Sequence, residues 1–210
     1  RGDEASYTLG SASNIAGAQG FPGFQPQNEV DAKRDNRAFY IDAKYDFSRT
    51  LTIEGAARYE NYSDFGDNLD KKLVLAYRPH EDFLMRASSS TGFRAPSLSQ
   101  SYYTATVSAQ YATDRIIQAG TFGVYHPVAI ALGAQPLKPE TSTHHSFGVV
   151  YQPTSDFSLS ADYFDTAIDD RIMITGNVSQ TVSNQVKAIL EQYGVQYARY
   201  FTNAIATRTQ

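Results

Sequence analysis

The 210-residue chain contains no cysteine and no tryptophan. Without cysteine there is no disulfide, no thiolate nucleophile and no thiolate metal ligand, and neither an oxidising nor a reducing compartment is indicated. No apolar run approaches the roughly 18 residues of a membrane-crossing helix. That leaves β-barrels open, because their short alternating strands produce no such run. The 18 Lys and Arg against 22 Asp and Glu give a net charge of -4, and the cations nowhere cluster. The footprint of a nucleic-acid binder is therefore missing. The opening RGDEASYTLG lacks a signal-peptide core, so the chain is expected to be mature or a fragment. G-x-S-x-G, H-E-x-x-H and dinucleotide-binding patterns are also absent, so no enzyme, cofactor or metal is expected.

Aromatic residues make up 13% of the chain, as fifteen Tyr and twelve Phe. Such rings suit sheets and places where one end is dry and the other wet. Their spacing is regular. Phe39, Ile41, Ala43, Tyr45 and Phe47 alternate with Tyr40, Asp42, Lys44 and Asp46. Leu51, Ile53, Gly55, Ala57 and Tyr59 do so with Thr52, Glu54, Arg58 and Glu60. Leu73, Leu75 and Tyr77 continue the pattern, followed by Phe83, Met85 and Ala87, by His145, Phe147, Val149 and Tyr151, and by Phe157, Leu159, Ala161 and Tyr163. Period-two alternation predicts half-buried strands. Tyr197 to Thr207 reads as a seventh, less cleanly alternating strand. The phase becomes unclear from Asp165 to Arg171, as at a bulge or where a strand leaves a dry environment.

The connections differ in length. Those near 48, 80 and 154 are short, and those at 61–70, 92–142 and 172–196 are medium to long. Val186, Ile189, Leu190 and Tyr193 predict a short helix near 184–193. Pro127 to Leu132 is a candidate for a single helical turn. An antiparallel up-and-down meander with short turns at one end and long loops at the other fits an outer-membrane barrel. A soluble sheet with one solvated face has the same alternation. Loop asymmetry and tyrosine content favour the barrel.

Residues 1–36 read as a loop-like segment in which Glu4 to Gly10 could be the end of a strand, with GAQGFPGFQP (Gly17 to Pro26) rich in turn formers. His144 and His145 should face opposite ways on a strand and share no metal. Asp64, Asp67, Asn68 and Asp70 lack the spacing of a calcium loop and read as turn residues. Asp169 and Asp170 face apart, and Arg171 can neutralise one of them. In the long loop, Tyr102, Tyr103, Tyr111, Arg115, Phe122, Tyr125 and His126 offer stacking faces and a guanidinium. These could hold a planar anionic chelate, or pack the loop on its neighbours. Arg94 in Phe93-Arg94-Ala95-Pro96 is expected to tie the loop base to carbonyls or to a carboxylate.

Four stretches, in order, resemble the C-terminal barrel of TonB-dependent outer-membrane receptors, siderophore receptors in particular. They are ARYENYSDFG (57–66), LMRASSSTGFRAPSLSQSYY (84–103), LGAQPLKPETS (132–142) and LSADYFDTAIDDRI (159–172). Gly66, Arg86, Gly92, Phe93, Arg94, Pro96, Pro139, Glu140, Asp162, Tyr163 and Arg171 carry the motif. FTNAIATRTQ (201–210) resembles the next strand.

The resemblance implies an all-β fold. About seven strands at 37–210 would be a segment of a 22-stranded barrel, with residues 1–36 as the preceding extracellular loop and no plug or terminal strand. It also implies a parent that imports a scarce nutrient by TonB-driven transport across the Gram-negative outer membrane. Its partners would be outer-membrane lipid, TonB through a region not in this chain, and a ligand such as a ferric siderophore, cobalamin or an oligosaccharide. A small self-contained barrel acting as a surface adhesin or structural protein is the alternative.

Overall fold

The computed structural model describes residues 2–8, 28–111, 115–204 and 207–209. The GAQGFPGFQP stretch lies outside them. Eight strands form one open antiparallel sheet. They are β1 (Gly2–Tyr7), β2 (Val30–Asp46), β3 (Leu51–Tyr62), β4 (Gly66–His80), β5 (Phe83–Arg94), β8 (Glu140–Thr154), β9 (Phe157–Asp169) and β13 (Thr207–Thr209). They are neighbours in chain order, as a meander requires, with β1 and β13 at the edges. Between β5 and β8 lie α1 (Leu98–Tyr102), β6 (Ala105–Tyr111), β7 (Arg115–Phe122) and α2 (Pro127–Ala131). Between β9 and β13 lie β10 (Ile172–Ile174), β11 (Val178–Ser179), α3 (Asn184–Gln192) and β12 (Tyr197–Asn203).

The ladder register turns the alternation into two faces. One row runs Tyr45, Ile53, Leu75, Ala87, Phe147 and Tyr163 across six strands. The next row, one residue along, runs Lys44, Glu54, Val74, Ser88, Ser146 and Phe164. Lys72 donates to Glu54 at 2.8 Å on this polar face. Among the described residues nothing covers the apolar face: Phe39 is 72% exposed, Ile41 68% and Leu159 59%. A soluble sheet would bury that row against a second layer.

Four expectations change. The sheet begins at β1, and β2 starts at Val30 rather than near Arg37, so the ladder reaches into the segment expected to be loop. VDAKRDN has too few apolar residues to signal a strand, and its pairing with β1 supplies the order. The 61–70 connection is not medium or long. β3 and β4 pair up to Tyr62 and Gly66, with Gly66 at φ 95° closing a tight turn. Asp64 lies in that turn as expected, whereas Asn61, Asp67, Asn68 and Asp70 sit on the strand ends. Of the two explanations for 165–171 the bulge is excluded: β9 keeps register from Leu159 to Asp169, opposite Tyr151 to Thr141, and stops at Asp170, which adopts φ 53°. Finally, 197–207 is not one strand of the sheet. β12 pairs elsewhere, and β13 alone continues the meander beside β9.

The main buried apolar cluster lies outside the large sheet. Phe122, Val124, Val128, Ala129, Leu137, Ile172, Val186, Leu190, Val195 and Ala198 pack together in the two long loops. These loops lie off the large sheet and are held by this core of their own, at roughly 1.5–3 kcal/mol for each large side chain removed from water.

Candidate functional site: the loop cap and its cleft

The two long loops fold as one cap. β6 and β7 form a hairpin, and β12 runs parallel to β7, placing Tyr197 beside Ala119 and Tyr200 beside Phe122. Gln118 and Gln196 lock that seam. Gln118 N–H donates to Gln196 Oε1 at 2.6 Å, and Gln196 N–H to the Gln118 carbonyl at 2.9 Å. α3 begins at Ser183, whose hydroxyl accepts from Val186 N–H, and it buries Val186 and Leu190 in the shared core.

α1 follows from its sequence. Pro96 ends β5, and Ser97 and Gln100 form a reciprocal capping box with both bonds at 3.0 Å. Gly123 passes so close to α1 that a Cβ there would lie 2.6 Å from the Ser101 carbonyl.

Both loops are knotted where they meet the sheet. The Arg94 guanidinium donates twice to Glu140, at 2.7 and 2.5 Å, and Glu140 also accepts from Ile172 N–H at 2.7 Å. Asn203 joins the other ends. Its Nδ2 donates to the carbonyls of Asp170 and Lys138, and its Oδ1 accepts from Lys138 N–H at 2.9 Å.

A third tie lies at the sheet rim. Arg34, 5% exposed, makes a bidentate pair with Asp64, with Nε–Oδ1 at 3.0 Å and Nη2–Oδ2 at 2.6 Å. Its guanidinium also sits 5.3 Å from the Phe65 ring centre and 5.8 Å from that of Tyr62. Between this rim and the cap opens a cleft of about 480 Å³ lined by Asp64, Phe65, Ser101, Tyr125, Leu137 and Lys138 together with Pro96, Pro136 and Pro139. Asp64 is neutralised by Arg34, which leaves Lys138 as the cation on its wall.

The candidate ligand residues separate into groups. Tyr102 and Tyr125 stack at 5.0 Å, and Tyr125 faces the cleft. Burial raises the Tyr125 phenol pKa, with Tyr102 and Asp64 adding to it. Tyr103 lines a smaller cavity of about 110 Å³ with Tyr102, Leu98 and Val30. Tyr111 and Arg115 are paired positions at the tip of the β6–β7 hairpin, away from the other four in the chain path. Phe122 is buried in the core, and His126 stacks on it at 4.5 Å. His144 and His145 occupy successive register positions and so opposite faces, with His144 Nδ1 2.7 Å from Thr166 Oγ1. Among the described residues no group of three His, Cys, Asp or Glu could hold a metal.

The motif residues are mostly structural. Gly92 faces Ser142, whose hydroxyl donates to the Gly92 carbonyl at 3.2 Å. Phe93 meets Tyr62 edge-on at 5.7 Å. Arg86 pairs with Asp162, and Tyr163 lies on the apolar face. Arg171 contributes its carbonyl to Ala204 N–H at 2.7 Å. Sequence reading missed Arg34, hidden in a charged run, Asn203, and the cleft residues Phe65 and Lys138. The S-x-x-Q spacing at Ser97 was the one signal that could have revealed α1.

The family model described as TonB dependent receptor-like, beta-barrel, matches residues 2–210. The chain belongs to this family. TonB-dependent receptors are transporters of the Gram-negative outer membrane, not enzymes. Comparison with curated proteins finds no match.

Among solved structures, the siderophore receptor PirA from Pseudomonas aeruginosa is 19% identical with a TM-score of 0.66, and the match covers 89% of this chain and 32% of that one. A mutant of the ferric enterobactin receptor PfeA from the same organism is 16% identical at TM-score 0.62, covering 93% of this chain and 25% of that one. The hemophore receptor HasR from Serratia marcescens, in complex with its hemophore HasA and heme, is 16% identical at TM-score 0.57, covering 85% of this chain and 31% of that one. The chain thus spans a quarter to a third of the receptors it resembles. At these identities the likeness establishes the fold alone.

Proposed function

We propose that this chain is a barrel segment of an outer-membrane receptor that imports an iron–siderophore complex by TonB-driven transport. The observation that carries the reading is the family match over residues 2–210. The segment expected at 37–210, extended by β1 and the start of β2, forms the barrel wall. Its apolar row meets lipid and its polar row faces the lumen. The long loops form the outer mouth, and contact with TonB belongs to a region of the parent outside this chain.

The cleft beside Tyr125 is the proposed ligand contact. The rings of Phe65 and Tyr125 offer flat faces, three prolines make rigid walls, and Lys138 supplies positive charge. These suit a planar anionic chelate by stacking and charge-assisted hydrogen bonding. Tyr102 supports Tyr125, Tyr103 borders the neighbouring cavity, and Tyr111 and Arg115, paired at the end of the β6–β7 ladder, are further proposed contacts. His126 braces the cap behind them.

Deleting the parent gene and following growth and uptake on defined ferric chelates tests this. Loss of growth on one chelate is the expected result. Unaltered growth and uptake on every iron chelate, with loss on cobalamin or an oligosaccharide, would replace the cargo while keeping the receptor.

A further inference from the structure

His126 occupies the junction of the two loops in a way that ligand capture does not require. Its ring lies flat on Phe122 of β7, with centres 4.5 Å apart, and meets Tyr193, the C-cap of α3, edge-on at 4.9 Å. Phe122 and Tyr193 themselves stand 6.4 Å apart, so the imidazole fills the space between a ring of the first loop and a ring of the second. The same residue is the N-cap of α2. Its Nδ1 accepts from Val128 N–H at 3.2 Å, which requires a neutral ring with the proton on Nε2.

We propose that His126 is an acid-operated latch: the neutral ring clamps α2 to α3, and protonation releases the clamp.

Protonation would place a second N–H on Nδ1, facing Val128 N–H donor to donor. It would also charge a half-buried ring packed on Phe122 and Tyr193, and moving the ring to solvent removes both penalties. The face of Phe122 is the one feature that favours a cation, and among the described residues no carboxylate contacts the ring. The titratable neighbours are the phenols of Tyr193 on α3 and Tyr125 beside it in the chain. Phe122 brings no charge from β7, and α2 (Pro127–Ala131) has none. On α3, Lys187 and Glu191 are exposed and 3.8 Å from each other.

Burial lowers the His126 pKa from 6.5 to about 4. The sign follows. A folded-state pKa below the unfolded one means the latch contributes fully above 6.5 and is lost as pH falls toward and below 4. The β7–β12 ladder does not depend on His126, so opening is confined to the α2–α3 side, next to the cleft. The inference needs only the cap geometry and is independent of the cargo.

The test uses the full-length receptor in detergent, with spin labels on cysteines introduced at Ile130 on α2 and Gln192 on α3, both exposed positions. Pulsed EPR distances are then measured from about pH 7.5 to about pH 3.5, the range that brackets the histidine titration. One short distance is expected at neutral pH, with a longer population dominating at the acid end. His126→Asn keeps the capping acceptor without titrating there, and His126→Phe keeps the stacking ring. In both, a distance that does not change with pH, whether short or long, supports the latch, provided the wild type shows the transition. A wild-type distance unchanged to the acid limit overturns it. So does a transition that persists in both variants.

Discussion

Arg86 and Asp162 join across a strand that lies between theirs. Nε and Nη2 of Arg86, on β5, donate to the Asp162 carboxylate on β9 at 3.1, 2.8 and 2.9 Å, directly over Gly148 of β8. A Cβ at Gly148 would overlap the carboxylate and lie 2.8 Å from Arg86 Nε. The glycine is therefore the gap through which next-nearest strands pair.

Gly148→Ala tests that relationship. On strand propensity alone the substitution should stabilise by a few tenths of a kcal/mol and at most about 1. Because the methyl must displace a half-exposed ion pair, that gain should be cancelled or turned into a loss of up to about 1 kcal/mol. Unfolding of the full-length receptor in detergent measures it. In Arg86→Ala the same glycine substitution should cost less, since the unpaired Asp162 carboxylate, the group nearest the added methyl, is then free to swing away. Equal costs in both backgrounds would show that the pair is not what Gly148 accommodates.

Arg94 and Glu140 make a different kind of prediction, because their pairing is buried on one side only. The Glu140 side chain is 10% exposed and the Arg94 side chain 56%. Arg94→Ala strands a nearly buried carboxylate that keeps only the Ile172 N–H, at a cost of about 1–3 kcal/mol. Arg94→Lys retains charge but not the fork and should recover part of that. Protease cleavage within 95–139 should accelerate in Arg94→Ala before the barrel itself unfolds. Unchanged cleavage would assign the loop base to Asn203 and the core instead.

How much of this was legible in the sequence depends on what each segment faces. Strands such as Phe39–Phe47 announce themselves because the two faces of the sheet carry opposite polarity on successive residues, whatever the tertiary partner. β12 lies in the cap, where both sides meet protein. Its parallel pairing with β7, between Tyr197 and Ala119, is set by the packing of a distant segment and leaves no local pattern. Arg94 could be singled out because a proline turn follows it, although nothing named Glu140 as its partner rather than a carbonyl. Arg34 was invisible, since Asp31, Lys33, Arg34 and Asp35 read alike until the turn at Asp64 is folded over one of them. The cleft was only partly legible, through Tyr125, Pro96 and Pro139. Phe65 and Lys138 enter from segments that look like an ordinary turn and a proline-rich return.

Asn203 should behave as a junction rather than a ladder residue. Its amide serves the carbonyls of Asp170 and Lys138 and the amide N–H of Lys138. Asn203→Ala removes three bonds at roughly 0.5–1.5 kcal/mol each, offset in part by water at an exposed site. A net loss of about 1–2 kcal/mol is expected, read as earlier release of the second loop in hydrogen exchange of the full-length receptor. Asn203→Asp keeps the acceptor toward Lys138 N–H but turns its other oxygen on two carbonyls, so it should do no better than alanine. A wild-type exchange pattern in Asn203→Asp would mean that the two carbonyls are not held by this side chain.

The assignment of faces is tested by two substitutions one residue apart. Leu75 lies on the apolar row between Ile53 and Ala87, and Val74 on the polar row between Glu54 and Ser88. Leu75→Arg places a cation against hydrocarbon, at about 2–4 kcal/mol near the bilayer midplane. In Val74→Arg the same side chain enters the polar lumen side, directly opposite Glu54. It should cost well under half as much, because a carboxylate and water are both at hand. Refolding the full-length receptor into lipid vesicles, with the folded fraction read by heat-dependent gel mobility, compares them directly. A larger loss from Val74→Arg than from Leu75→Arg would exchange the two faces. Equal small losses would mean that neither row meets lipid.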